Sequence, residues 1–199
     1  MGRPNYQIMP WIISLLRGSL LAVMLAFIAP IFSVHAGQDD LRLTDLFLDL
    51  RKASDAERAK VTSSKIWQIW SEHPNDELLT KALQSGIQLM NVGRLRDAEQ
   101  VFTSIIAADN SFAEAWNKRA TVYFMMGKYL QSKKDIAQTI MREPRHFGAF
   151  SGLGLVEIHF GNYEAALKAY QQAAEIHPYL EGYENIVTAL TRLKRGNPT

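Results

Sequence analysis

The sequence predicts an all-α protein, a solenoid of antiparallel helix pairs closed by a C-terminal capping helix. Three observations carry the prediction. Apolar residues recur at helical spacing in blocks of about a dozen residues. A glycine-bearing turn separates the blocks two by two. The whole pattern then recurs at a fixed offset of 34 residues.

The clearest unit runs from Phe147 to Leu180. Phe150, Leu153 and Gly154 define one helix face, and Ala166, Leu167, Tyr170, Ala173 and Ala174 define the next. Gly161-Asn162 turns the chain between them, and Pro178 ends the second helix because it lacks an N–H. Such a hairpin cannot bury its apolar face alone, so it demands neighbours of the same kind. They are present. Gly86, Ala120 and Gly154 fall in register, as do Gly93, Gly127 and Gly161. Phe102, Ile136 and Tyr170 form a column that fills the space between helices, and Asn110, Pro144 and Pro178 close the units. The units are 79–112, 113–146 and 147–180.

A period of 34 with small residues at the helix crossing, glycine in the turn and a closing proline resembles the tetratricopeptide repeat family. The stretch from Pro144 to Gly154 and the N-terminal segment are similar to exported bacterial proteins of that family. The family's first-helix Trp is replaced by Ala82 and Phe150 in two units. The resemblance implies a right-handed superhelix whose first helices line a concave groove for peptides or helices of other proteins. The positions implied to face it are Leu83, Ile87, Met90 and Asn91; then Asn117, Thr121, Phe124 and Met125; then Ser151, Leu155, Ile158 and His159. Most are apolar, and methionines adapt to varied partners. Family members that clamp a terminal carboxylate use Asn, Lys and Arg there, whereas only Asn117 and Lys118 match here. The groove could instead be filled in cis, or serve a homo-oligomer.

The remaining segments follow in order. Residues 1–36 hold Arg3 and Arg17, no acidic residue, and a 13-residue apolar run from Leu20 to Phe32. With Val34 and Ala36 at the −3 and −1 sites, this is the pattern of a signal peptide cut after Ala36, which predicts a periplasmic protein. Retention of the segment would make it an inner-membrane anchor and the protein an assembly scaffold that oligomerises through its repeats. Residues 37–76 read as a linker and a degenerate helical repeat, with Thr44 as N-cap of its first helix and Ser54-Asp55 capping the second. Trp67 and Trp70 either pack on the first regular unit or form an aromatic patch for a partner. Residues 181–195 read as the capping helix.

Composition narrows the function. Without residues 1–36 the chain carries 20 basic and 20 acidic residues, which argues against nucleic acid as a partner. It has no cysteine, so disulfides and thiolate chemistry are excluded. Gly152-Leu153-Gly154 lacks the strand that a dinucleotide loop requires. The histidines His73, His146, His159 and His177 are scattered, with no metal-ligand spacing. Lys128, Lys133, Lys134 and Asp135 read as a solvated ridge, and Arg142, Arg145 and His146 as a solvated basic cluster. The expectation is a non-catalytic protein-binding module with no cofactor and no metal.

Overall fold

A computed structural model describes residues 40–196. The expected signal peptide with its cut after Ala36 lies outside the described residues, as does most of the expected linker. The order of elements is α1 (Leu41–Arg51), α2 (Ala56–Ser71), α3 (Glu77–Asn91), α4 (Leu95–Ala108), α5 (Ala113–Met125), α6 (Tyr129–Arg142), α7 (Phe147–His159), α8 (Tyr163–Ile176) and α9 (Tyr183–Gly196). Among the described residues there is no strand, and no helix is long and apolar enough to cross a membrane.

The starts of α1, α2, α3 and α7 are set by side chains that satisfy orphan N–H groups. Asp55 accepts from the N–H of Arg58, and Asp76 from those of Leu78 and Leu79. The first helix corrects the expectation for Thr44. It begins at Leu41, because the Asp40 carboxylate accepts the Arg42 N–H and also holds the Arg42 guanidinium. Helix ends in the three regular units share one device. Gly93, Gly127 and Gly161 adopt φ of 78°, 73° and 74°, a conformation costly for other residues. Each lets the next N–H reach back, as from Arg94 to Leu89 O at 2.9 Å and from Lys128 to Tyr123 O at 2.8 Å.

Within a unit, the helices cross where a small residue meets a large one. A Cβ placed on Gly86 would lie 2.5 Å from the Phe102 ring, and one on Gly154 would lie 2.4 Å from Tyr170. In the second unit Ala120 meets Ile136, and Ser132 donates to Ala120 O at 2.8 Å. Successive pairs stack in chain order, α4 on α5 and α6 on α7. α9 covers the end of the array by burying Leu190 against Ala166 and Tyr170.

The α1–α2 hairpin departs from the expected arrangement. Its apolar face, built from Leu43, Phe47, Leu50, Ile66, Ile69 and Trp70, shares one core with Phe147, Phe150 and Ala173 of the third unit. Trp70 stacks flat on His146 at 4.1 Å, and Trp67 meets Phe147 edge-on at 5.4 Å. The tryptophans therefore pack on the junction of the second and third units rather than on the first. Trp70, 3% exposed, is no surface patch. The reason is shape: His146, Phe147 and Gly148 leave a recess that fits indole rings, and a Cβ on Gly148 would come 2.5 Å from Trp67.

Gly154→Ala is expected to lower stability by about 1–3 kcal/mol, since the added methyl must displace the Tyr170 ring. Gly152→Ala adds its methyl at 3.6 Å from Ile136, an ordinary contact, and should leave stability unchanged or raised by about 0.5–1 kcal/mol through better helix propensity. Thermal unfolding followed by circular dichroism separates the two.

Candidate partner-binding groove

The residues expected to face the groove divide by burial. Leu83 is 0% exposed and belongs to the core of the first unit, with Ile87 and Met90 half-buried against the same cluster. Leu83 is thus removed from the accessible set, because the crossing of α3 with α4 consumes its side chain. Asn91 is exposed at the end of α3. On α5, Thr121 is exposed and Phe124 half-buried, while Met125 is 51% exposed. On α7, Leu155 is 46% exposed, His159 is exposed, and Ser151 and Ile158 are half-buried.

The fold brings the members on α5 and α7 together. A cleft of about 80 Å³ is lined by Thr121, Phe124 and Leu155, with Ile136 and Gly152 beneath. Phe124 meets Tyr129 edge-on at 5.3 Å, and His159 stacks on the same tyrosine. These rings hold the apolar strip in place. Ile87 and Met90 do not line this cleft.

Asn117 has a different role from the one its column implied. It is buried, and its Nδ2 donates to Glu114 Oε2 at 3.0 Å. Glu114 is 1% exposed and forms the centre of a buried polar group. His146 Nε2 lies 3.0 Å from Glu114 Oε2, and Lys118 Nζ forms an ion pair with Oε1 at 2.9 Å. Because His146 Nδ1 accepts the Ala149 N–H and caps α7, Nε2 must carry the proton and donate to Glu114. Burial raises the Glu114 pKa, but the Lys118 ammonium and the His146 hydrogen bond outweigh it, and the net direction is down. Lys118 also lies 5.1 Å over the Trp67 ring. Trp70 Nε1 donates to Glu143 Oε2 at 3.3 Å, tying the hairpin to the same junction.

This group was missed in the sequence. Its one signal was a break in a column, where Thr80 and Gly148 stand in the units on either side of Glu114. The expected basic cluster is dismantled by the same contacts. His146 is fully buried; Arg145 binds Glu143 at 2.9 Å and lies over Phe47; Arg142 lies over Trp116. The charged ridge is corrected too: Asp135 is buried in a two-pronged contact with Arg119, and Lys133 reaches Glu157 at 2.6 Å.

Glu114→Ala is expected to cost about 3–5 kcal/mol, because it strands the His146 N–H and the Lys118 charge. Glu114→Gln, which keeps an acceptor, should cost less; chemical denaturation measures both. The pH dependence has a defined sign. His177 is held below the ordinary histidine value of 6.5 by burial, so the unfolded chain takes up the proton first. Its contribution is present above 6.5 and lost on acidification, and that of Glu114 is lost at lower pH still. The denaturation midpoint should fall between pH 7 and 5, and His177→Phe should flatten that part of the curve.

Comparison with known proteins agrees with this architecture. The tetratricopeptide repeat family model matches residues 117–181. A TPR repeat-containing protein of Rhizobium etli is 31% identical over 158 residues, covering 79% of this chain and 77% of the relative. Hsp70-Hsp90 organizing protein 1 of Glycine max is 24% identical over 154 residues, and the match spans only 26% of that longer protein. Among solved structures, MamA has a TM-score of 0.56 at 21% identity, covering 76% of this chain and 80% of MamA. The second TPR domain of human RPAP3, in complex with the HSP70 peptide SGPTIEEVD, has a TM-score of 0.52 at 22% identity, covering 55% and 92%. With its three 34-residue units, its glycine turns and a relative matched over most of both chains, the protein belongs to the tetratricopeptide repeat family.

Proposed function

We infer that this chain is a non-catalytic protein–protein interaction module of the bacterial periplasm, binding an amphipathic helix or peptide of a partner along α5 and α7. The observation that carries this reading is the apolar strip around Thr121, Phe124, Met125 and Leu155, left open between two rigid helices. The RPAP3 domain, of like fold, holds a peptide, which supports a peptide-sized ligand here. The chemistry differs, however. The RPAP3 peptide ends in the acidic sequence EEVD. In this chain Lys118 is drawn onto Glu114 and over the Trp67 ring, and Asn117 onto the same carboxylate. The strip offers methyl, thioether and ring surface instead, which suits an apolar helix face. The apolar segment before Val34 and Ala36 supports export.

The test is a crosslinking pull-down from envelope extract with the full chain and with Phe124→Glu/Leu155→Glu. The expected outcome is a partner captured by the wild type and lost by a variant that retains its helical spectrum. An unchanged set of captured proteins would reject the strip as the working surface. Intact mass of the same protein reports its N-terminus: a chain beginning at Gly37 supports the periplasmic reading, whereas retention of residues 1–36 would favour an anchored scaffold.

A further inference from the structure

A second, larger hollow lies beside the cleft, and it exists only because the α1–α2 hairpin folds back. It measures about 590 Å³ and lies between α2, the start of α7 and the loop before α9. Half-buried Trp67 and exposed Tyr179 give it two open rings, Phe147 and His177 lie buried behind them, and Ser151 and Gly148 complete the lining. Gly148 also lines the smaller cleft, so the two spaces adjoin along one face of α7.

Its charge is not balanced. Glu57, Lys60 and Glu181 also line it, and all three are exposed. Among the described residues none of the three is engaged in an ion pair, unlike Lys118, which lies over the Trp67 ring and pairs with Glu114. Two carboxylates against one ammonium favour a cationic neighbour, while aromatic walls favour an aromatic side chain packed edge-on or offset. A volume of this size takes one large side chain and part of the next residue.

We propose that this hollow is an anchor pocket for an aromatic residue flanked by Arg or Lys in the partner segment. The proposal rests on the interaction-module reading for the nature of the ligand, and it adds a specificity that the apolar strip lacks. The hairpin is then a wall of the binding surface, with Trp67 contributing one face to the α7 junction and another to the ligand.

The test uses the full chain, labelled with ¹⁵N, and two probes, acetyl-Trp-Arg-amide and acetyl-Trp-Glu-amide. The arginine probe is expected to shift the Gly148, Ser151 and Leu180 amide resonances and to bind about threefold tighter than the glutamate probe, as solvent-exposed charge pairs allow. Glu57→Lys/Glu181→Lys, confined to exposed positions, should invert that preference, and Tyr179→Ala should weaken both probes. Absence of shifts at these amides, or the same preference in the charge-reversed variant, overturns the proposal. The groove is judged apart from it. Phe124→Glu/Leu155→Glu should still bind the arginine probe, so a variant that keeps its captured partner while the probes shift Gly148 would defeat the groove reading alone.

Discussion

Each helix pair is held by a ring or branched side chain pressed onto a residue with almost no side chain. Phe102 on Gly86, Ile136 on Ala120 and Tyr170 on Gly154 are the same contact three times. The contact brings two backbones close enough for their remaining apolar faces to interdigitate, and packing of this density tolerates little change of volume. The period of 34 follows from it. A helix, a left-handed glycine turn and a second helix must return the large residue to the small one in every unit.

The N-terminal hairpin is held by chemistry of another kind. Trp70 lies flat on His146, and His146 caps α7 with one ring nitrogen while donating to Glu114 with the other. The neutral imidazole has a partner at each nitrogen, and Glu114 finds its counter-charge in Lys118. A buried polar group of this sort costs free energy unless every member is satisfied. Where it is satisfied, it selects one docking geometry over others that an apolar face alone would accept, and here the hairpin meets the junction of the second and third units rather than the first.

That choice shapes the surface left for a partner. The cleft between α5 and α7 is lined by Phe124 and Leu155, and Asn117 beside it is turned inward to hold the fold. Lys118 and Asn117, which in isolation resemble ligand-binding residues, are engaged by Glu114. The folded-back hairpin covers the start of α7 and walls a hollow beside it, so the open apolar strip lies along α5 and α7 rather than along all three units.

Sequence alone determined the repeat, the turns, the column residues and the capping role of the last helix, because these depend on spacing along one chain and on contacts 16 residues apart within a unit, such as Phe102 to Gly86. It also placed Thr121, Phe124, Met125 and Leu155 on the first helices. Burial could not be read there: Leu83 and Leu155 occupy neighbouring columns, yet the first is consumed by the core and the second is open. Tertiary structure alone decided the fate of Trp67, Trp70, Glu114 and His146. The bond from Trp70 to Glu143 spans 73 residues, and that from Glu114 to His146 spans 32, from the first helix of a unit to its last residue. No periodicity announces a partnership of that kind, since it depends on which recess in the finished array fits an indole ring and brings a counter-charge to a buried carboxylate.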